Sequence, residues 1–283
     1  MHLKTLLAAT TALLAAAPLA AQDTERAPFD GFYVAGAVGA DVQANRLNDT
    51  VLFDRNLDGR FDNTVLTATG ANAFAPSAAQ PGAGFCNGRA TSTGKLTGCD
   101  NDKDAVGYYG RVGVDKQFGN IVVGLLGEFG TSNIRDSVTA FSTTPANYVF
   151  NRKVDWEAGA RVRVGYAANT TLFYGTGGPG YVKIDNSFSS SQSVNTFTGR
   201  GRSKELGFNV GGGVEQKIGN FSIGLEYMYH QYDTDKYRVR ATGAAGTPFT
   251  NAANGGTASG TDFRRSDDRF NWNSIRATAG FRF

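Results

Sequence analysis

Hydrophobic and polar side chains alternate with a period of two residues along eight separate stretches of the chain. In the last stretch, Ile275 and Phe281 occupy one phase of the alternation, whereas Arg276 and Arg282 occupy the other. A period of two is that of a β-strand whose two faces contact different surroundings. We therefore expect strands at 31–44, 105–118, 121–132, 154–166, 171–185, 203–218, 221–232 and 269–283.

Short and long connections alternate strictly between these predicted strands. Three connections have two to four residues, and two of them are Gly-Asn turns at Gly119 and Gly219, which favour tight hairpins. The long connections are polar and cover about 45–104, 133–153, 186–202 and 233–268. Tight turns at one end and long loops at the other are typical of outer-membrane barrels, whose long loops lie outside the cell. The pattern predicts an all-β fold, an eight-stranded antiparallel up-and-down transmembrane β-barrel.

Ionised residues concentrate on one face of the predicted strands, and the direction of that face decides the type of barrel. A soluble, lipocalin-like barrel would point its apolar face inward, whereas a membrane barrel points it toward lipid and encloses the charges. We expect the second arrangement. Because eight strands enclose only enough space for their own side chains, the charges are expected to form a salt-bridged plug and not an open channel. The predicted inward set is Asp41, Arg111, Asp115, Glu128, Glu157, Arg161, Arg163, Lys183, Glu205, Glu215, Glu226, Arg276 and Arg282.

The N-terminal residues carry a secretion signal. A short basic start precedes a stretch rich in Ala and Leu and then small residues, which predicts a cleaved signal peptide at 1–21 and a barrel at 22–283. The chain contains 37 Gly, 20 Phe and 11 Tyr, and no long helical periodicity follows the signal peptide, which favours strands and turns. A net charge of +3 is too small for a nucleic-acid-binding surface.

Two features of the first long loop point to specific chemistry. Cys86 and Cys99 follow an export signal, so we expect one local disulfide in an oxidising compartment. Four oxygen-bearing side chains surround a glycine with the spacing of a calcium-binding loop, although the position of the bidentate Glu holds a valine. Calcium binding and an Asx-rich turn are the two alternatives for this motif. Its four candidate ligands are Asp54, Asn56, Asp58 and Asp62.

The segments at 31–36 (GFYVAG), 110–113 (GRVG) and 279–283 (AGFRF) resemble the outer-membrane β-barrel family that includes OmpA-type transmembrane domains and opacity-like surface antigens. The resemblance covers essentially the whole mature chain. It implies the outer membrane of a Gram-negative bacterium, an eight-stranded porin-like barrel, and roles in envelope integrity or surface contact. It also implies insertion by the outer-membrane assembly machinery, which would recognise the last strand with Phe281 and Phe283. Because no peptidoglycan-binding domain follows Phe283, we do not expect an anchoring role.

Basic residues gather on the loop side of the predicted barrel. They are expected either to contact the phosphates of lipopolysaccharide or to be solvated and neutralised by nearby Asp. The basic residues are Arg200, Arg202, Lys204, Lys236, Arg238, Arg240, Arg264, Arg265 and Arg269.

Trp272 is expected in an aromatic girdle at the membrane surface. Its strand phase opposes that of Phe283, so this position would require a bulge near the rim or a shift of the predicted register.

An enzymatic function would have to use His230, the single histidine after the signal peptide. Its strand phase points it into the barrel, and the His-x-Ser arrangement of the lipid A deacylase type is absent, so a structural role is expected. We therefore predict a non-enzymatic, monomeric outer-membrane protein that contacts lipid and lipopolysaccharide and acts through its loops, with no resident cofactor. A small-solute channel or a lipid-modifying enzyme is the alternative.

Overall fold

A computed structural model describes residues 27–43, 49–102, 104–199, 201–234 and 237–283 of the chain. The predicted signal peptide at 1–21 lies outside these residues. Within them, the prediction of eight long antiparallel strands is confirmed. With all strands numbered in chain order, these eight are β1 (Gly31–Val42), β6 (Ala105–Phe118), β7 (Ile121–Ser132), β9 (Ala146–Ala168), β10 (Thr171–Ser190), β12 (Arg202–Ile218), β13 (Phe221–Asp233) and β16 (Arg269–Arg282).

The eight long strands close into one barrel. Each pairs antiparallel with the preceding and the following long strand, and β16 closes the ring by pairing with β1, where Tyr33 lies opposite Arg282. Gly119 and Gly219 begin two of the three two-residue turns, with φ of 60° and 62°, a conformation that glycine adopts without strain. β9 and β10 have 23 and 20 residues, so they are longer than the sequence predicts and extend past the neighbouring strands.

The outer face of the barrel is apolar. Phe32, Val112, Leu125 and Phe221 are all at least 60% exposed, and their neighbours along each strand are buried inside. This is the expected arrangement for strands that contact lipid on one side only. No helix in the described part of the chain is long and apolar enough to span a membrane.

The prediction that Lys183 of β10 points inward is wrong. Ile184 and Leu172 are fully buried inside the barrel, whereas Phe173 is exposed, so the phase of Ile184 and Leu172 is the inner one and Lys183 belongs to the outer one. The Lys183 Nζ atom instead pairs with Asp155 Oδ2 on the outer side, at 2.5 Å. Apolar side chains pack both ends of the barrel interior, and the inward side chains of this strand contribute to both of these apolar clusters. For this reason its inward phase is apolar and not charged.

The prediction of a girdle position for Trp272 is also wrong. Its side chain is 1% exposed and stacks against His230 inside the barrel, with ring centroids 4.7 Å apart. The pairing of β16 with β13 and β1 shows no register shift, so the bulge that a girdle position required does not exist. Trp272 thus shares the inward phase of Arg276.

The long connections fold into a second body above the barrel, which we call the head and define as the described residues of 49–104, 133–153, 186–202 and 234–268. Its four-stranded sheet has the order β11-β14-β15-β2 and combines strands from the first, third and fourth long loops. The head strands are β2 (Val51–Asp54), β3 (Gly84–Asn87), β4 (Arg89–Ala90), β5 (Cys99–Asp100), β8 (Arg135–Ser142), β11 (Asn195–Gly199), β14 (Val239–Gly243) and β15 (Thr261–Arg265), and its short 3-10 turns are Lys95–Thr97 and Ala253–Gly255.

Aromatic and aliphatic side chains form the core of the head. Phe263 is fully buried, and Phe53 and Phe249 each lie 5.0 Å from it between ring centroids. Such edge-to-face contacts are favourable geometries for aromatic rings. The buried core residues are Val51, Phe53, Val65, Ala73, Phe74, Val138, Ala140, Ala146, Tyr148, Phe150, Val239, Ala241, Phe249 and Phe263.

Candidate functional site

A network of ionised side chains crosses the middle of the barrel. Arg276 Nη1 donates to Glu128 Oε1 at 2.9 Å, and Arg161 Nη2 donates to the other oxygen of Glu128 at 2.8 Å. Arg111 donates to Glu128 and to Glu226, with its Nη1 3.1 Å from Glu226 Oε2. These five residues come from five different strands. Each carboxylate meets more than one guanidinium, so the buried charges compensate one another.

A second ionic cluster lies toward the short-turn end. Arg163 Nη1 donates to Glu215 Oε2 at 2.7 Å, and Arg282 Nη2 donates to Asp115 Oδ2 at 2.8 Å and to Glu215 Oε1 at 3.0 Å. Tyr33 of β1 lies beneath both guanidiniums, which are 5.1 and 4.6 Å from its ring centroid. The cluster therefore ties the first and last barrel strands to the opposite wall.

The expected inward charges are buried, with Lys183 as the exception. Arg276, Asp41, Glu157, Glu205 and the other members are all below 9% exposed. Asp41 accepts hydrogen bonds from Ser274 and from the Tyr109 hydroxyl, the latter at 3.1 Å. Strand alternation places Tyr109 in the inward phase of Arg111, but it does not indicate which buried carboxylate the hydroxyl contacts.

His230 sits in the upper part of the ionic network. Its Nδ1 atom lies 3.2 Å from Glu157 Oε2, and its Nε2 atom lies 2.8 Å from Arg276 Nη2. The ring is fully buried and stacks on Trp272. These contacts fit the structural role expected from the sequence.

Apolar layers lie above and below the charges inside the barrel. The lower layer consists of Phe29, Val122, Ala167, Leu172 and Tyr174, and all five are buried. The upper layer separates the ionic network from the head and consists of Ile134, Val154, Val182, Ile184, Tyr232, Phe270 and Trp272.

A third ionic cluster lies at the base of the head and reaches the barrel through Arg152, whose Nη2 atom donates to the backbone carbonyl of Arg269 in β16 at 2.9 Å. Arg265 Nη2 reaches Asp49 Oδ2 at 2.6 Å and Asp136 Oδ2 at 2.8 Å, and Arg152 Nη2 reaches Asp267 Oδ2 at 2.9 Å. Burial alone would raise the pKa of Asp136, but Arg152 and Arg265 hold that pKa well below its usual range. Sequence position alone does not distinguish Arg265 from the other rim charges, because its partners come from separate loops.

The acidic motif of the first loop forms an Asx-rich turn. The Asp54 carboxylate is buried and accepts hydrogen bonds from the backbone N–H of Asp58 at 3.2 Å and of Gly59 at 2.8 Å. The side chain of Asn56 donates to Asp58, whereas Asp62 accepts from the neighbouring asparagine. Among the described residues, no group of three or more His, Cys, Asp or Glu could hold a metal ion. Calcium binding by this loop stays a prediction.

The remaining predicted residues lie where the sequence placed them. Cys86 and Cys99 form a disulfide with a Cα–Cα distance of 6.4 Å, which confirms that prediction. The rings of Phe281 and Phe283 lie 5.1 Å apart between centroids at the short-turn end of β16, and Phe221 packs on Phe281 at the same distance. Recognition of these residues by the assembly machinery is a separate prediction.

Several curated proteins are similar to part of this chain. A 22 kDa outer membrane protein of Rhizobium leguminosarum bv. viciae is 32% identical over 142 residues, which are 48% of this chain and 58% of that protein. The 31 kDa outer-membrane immunogenic proteins of Brucella melitensis biotype 1 and Brucella suis biovar 1 are each 30% identical over 133 residues, which are 45% of this chain and 55% of theirs. The chain thus spans somewhat more than half the length of these relatives, and no family model matches it.

Two solved structures were found by shape. The outer membrane protease OmpT from Escherichia coli is 10% identical with a TM-score of 0.42, over 92% of this chain and 99% of that one. The translocator domain of the autotransporter NalP from Neisseria meningitidis is 12% identical with a TM-score of 0.29, over 94% and 91%. The closed barrel of this chain, together with relatives that are outer-membrane proteins, defines it as an integral outer-membrane β-barrel of a Gram-negative bacterium.

Proposed function

We propose that the protein is a non-enzymatic barrel with a closed interior, which supports envelope integrity and contacts the cell's surroundings through its head. The observation that carries this proposal is the ionic network of Arg111, Glu128, Arg161, Glu226 and Arg276, which reaches from wall to wall. The apolar layers above and below it add further closure. An eight-stranded barrel offers little more space than these side chains need.

The surroundings of His230 support the absence of catalysis. A general base must come within hydrogen-bonding distance of a substrate proton, and both ring nitrogens of His230 instead face Glu157 and Arg276 in a fully buried position. The network that closes the lumen therefore also occupies the one histidine that a hydrolytic mechanism could use.

The packed head supports surface contact as the second part of the function. Its aromatic core holds strands from different loops in one sheet, so the outer surface is presented on a fixed scaffold. Loops on a rigid scaffold are the usual place for recognition. The Brucella relatives are named immunogenic, and exposure of the head outside the cell would agree with that name. We propose outer-membrane lipid, lipopolysaccharide and the assembly machinery as partners of a monomer, in the manner of OmpA-type barrels.

Single-channel recording in a planar lipid bilayer tests the closed interior. The wild-type protein is expected to show no steady conductance. A variant with Glu128→Ala and Arg276→Ala loses one charge of each sign and is expected to conduct, because the two truncations open the middle of the barrel without changing its net charge. A steady, ion-selective conductance of the folded wild-type protein would refute the plug.

Deletion and complementation test the envelope role. Cells that lack the protein are expected to take up large antibiotics faster, and the wild-type gene is expected to restore the barrier. Heat-modifiable gel mobility verifies that each complementing protein is folded. An unchanged permeability and unchanged surface attachment in the deletion strain would contradict the proposed function.

A further inference from the structure

Most of the basic residues near the rim have carboxylate partners. Arg240 forms two hydrogen bonds with Asp262, Arg265 pairs with two aspartates, and Arg202 and Arg269 lie 3.3 and 3.8 Å from neighbouring aspartate oxygens. Arg200 and Lys236 lie outside the described residues. Of the nine predicted residues, this leaves Lys204, Arg238 and Arg264, for which no carboxylate oxygen in the described ranges lies within 4.0 Å.

Arg238 and Arg264 converge on one aromatic ring. Their guanidinium carbons lie 4.9 and 4.6 Å from the centroid of Phe61, whose side chain is buried against the head. The two guanidiniums are therefore no farther apart than the sum of these distances. Lys204 has no such neighbour, since it lies exposed on β12.

Strand register fixes this convergence. Val239 of β14 pairs with Phe263 of β15, so Arg238 and Arg264 are the adjacent residues on the two strands and lie side by side. Phe263 points into the aromatic core, which places Arg264 on the opposite, outer face of the sheet. Like charges beside each other on one sheet face are destabilising, so a bound anion would stabilise the pair.

The Asx-rich turn supplies the ring between the two arginines. Asp54 orders the turn by accepting the backbone N–H groups of Asp58 and Gly59, and Phe61 follows directly after it. Cation–π contacts then hold both guanidiniums in place and leave their N–H groups available. The Arg264 Nε atom is buried and has no hydrogen-bond partner. A fixed pair of guanidiniums with a donor still unsatisfied is the arrangement that binds a phosphate.

The position of the pair indicates the source of the phosphate. Arg265, the next residue, contacts Asp49 and Asp136 at the junction of head and barrel, and β16 begins at Arg269. The pair thus lies at the base of the head, near the rim of the barrel. We propose that Arg238, Arg264 and Phe61 form a binding site for a phosphate group of an outer-leaflet glycolipid. This inference deepens the proposed contact with lipopolysaccharide and rests on that part of the proposed function.

Binding of lipopolysaccharide to the full-length barrel in a neutral detergent tests the site. The wild-type protein is expected to bind phosphorylated lipopolysaccharide more tightly than the same preparation after removal of its phosphates with hydrofluoric acid. Arg238→Gln and Arg264→Gln are each expected to weaken binding of the phosphorylated form by about tenfold, the effect of losing one charge-assisted contact. The double variant should bind both preparations equally.

Lys204→Gln is the matched control, because it removes one exposed positive charge that lies away from Phe61. Its affinity is expected to stay within about twofold of wild type, as for a solvated surface charge. Heat-modifiable mobility verifies that each variant is folded. An unchanged affinity of the folded double variant, or an equal loss in the Lys204 variant, would overturn the site.

Competition with inorganic pyrophosphate distinguishes the two possible sources of phosphate. Little competition at concentrations far above that of lipopolysaccharide is expected for a glycolipid site. Competition at equal concentrations would overturn the assignment to a glycolipid and indicate a soluble phosphate compound. None of these outcomes affects the closed interior, which the conductance measurement tests separately.

Discussion

The barrel interior and the head are built on opposite rules within one chain. The barrel buries Arg276, Glu128 and Glu226 and exposes Leu125 and other apolar residues on its outside. The head instead buries an aromatic core and leaves most of its charges at the surface. Lipid surrounds the barrel and water surrounds the head, so the same physical preference places apolar side chains outside in one body and inside in the other.

The comparison shows that a different interaction stabilises each body: ion pairs stabilise the barrel interior, and packed rings stabilise the head. In the barrel, removal of one charge leaves its partners buried and unpaired, and the resulting penalty is large. In the head, truncation of one ring leaves a cavity whose cost depends on its volume. The junction cluster around Arg265 and Asp136 lies between the ionic interior of the barrel and the aromatic core of the head.

Truncation of the central barrel arginine is expected to have the largest effect. Arg276→Ala leaves Glu128 and Glu157 without one of their partners and should lower the free energy of unfolding by about 4 kcal/mol. Urea unfolding in detergent micelles, followed by tryptophan fluorescence, measures the loss. The control is Arg202→Ala at an exposed ion pair, which should cost less than about 1 kcal/mol. Equal effects of both variants would contradict a closed ionic core.

Truncation of the central head ring is expected to have a smaller and more local effect. Phe263→Ala removes a ring that contacts Phe53 and Phe249 and should destabilise the head by about 3 kcal/mol. Limited proteolysis should then cut the long loops faster, while heat-modifiable mobility of the barrel persists. Leu96→Ala, at an exposed apolar position of the head, is the control and should leave the cleavage rate unchanged. Loss of the folded barrel in Phe263→Ala would show that the two bodies are not separable.

A modest pH effect is expected at the junction of the two bodies. Burial raises the pKa of Asp102 from 3.8 to about 6, with nearby Asp136 adding to the increase. The folded state therefore binds more protons than the unfolded state between these values, so the head should become more stable as pH falls through 6. We expect a gain of about 1 kcal/mol between pH 7.5 and 5, reduced by the partial exposure of Asp102.

Proteolysis of the head across this pH range measures the effect. Asp102→Asn keeps the shape of the side chain and removes its charge, so its cleavage rate should be nearly independent of pH in the same interval. Asp136 acts in the opposite direction: because its pKa in the folded state is held low, its contribution to stability is lost as pH falls below its usual pKa, outside this interval. A pH dependence that is identical in the wild type and in Asp102→Asn would assign the effect to another group.

The sequence was sufficient to identify the lipid-facing side of seven barrel strands, although their inward phase also carries apolar residues such as Trp272 near the end of the lumen. In these strands the lipid-facing phase is the apolar one, and residues such as Arg163 and Glu215 lie inside as predicted. In β10 the same rule was misleading, because this strand places Leu172 and Ile184 in the apolar layers at the two ends of the lumen. Trp272 was misplaced for the same reason.

The sequence by itself determined the number of barrel strands, the alternation of turns and loops, and the local disulfide, because each depends on neighbouring residues or on a uniform lipid surface. Only the tertiary structure decided that four loops share one aromatic core and that Arg238 meets Arg264 on Phe61. These contacts join residues far apart in the chain, between strands too short to show a period. Which residues contact each other depends on how the loops pack together, and no pattern in the neighbouring sequence predicts it.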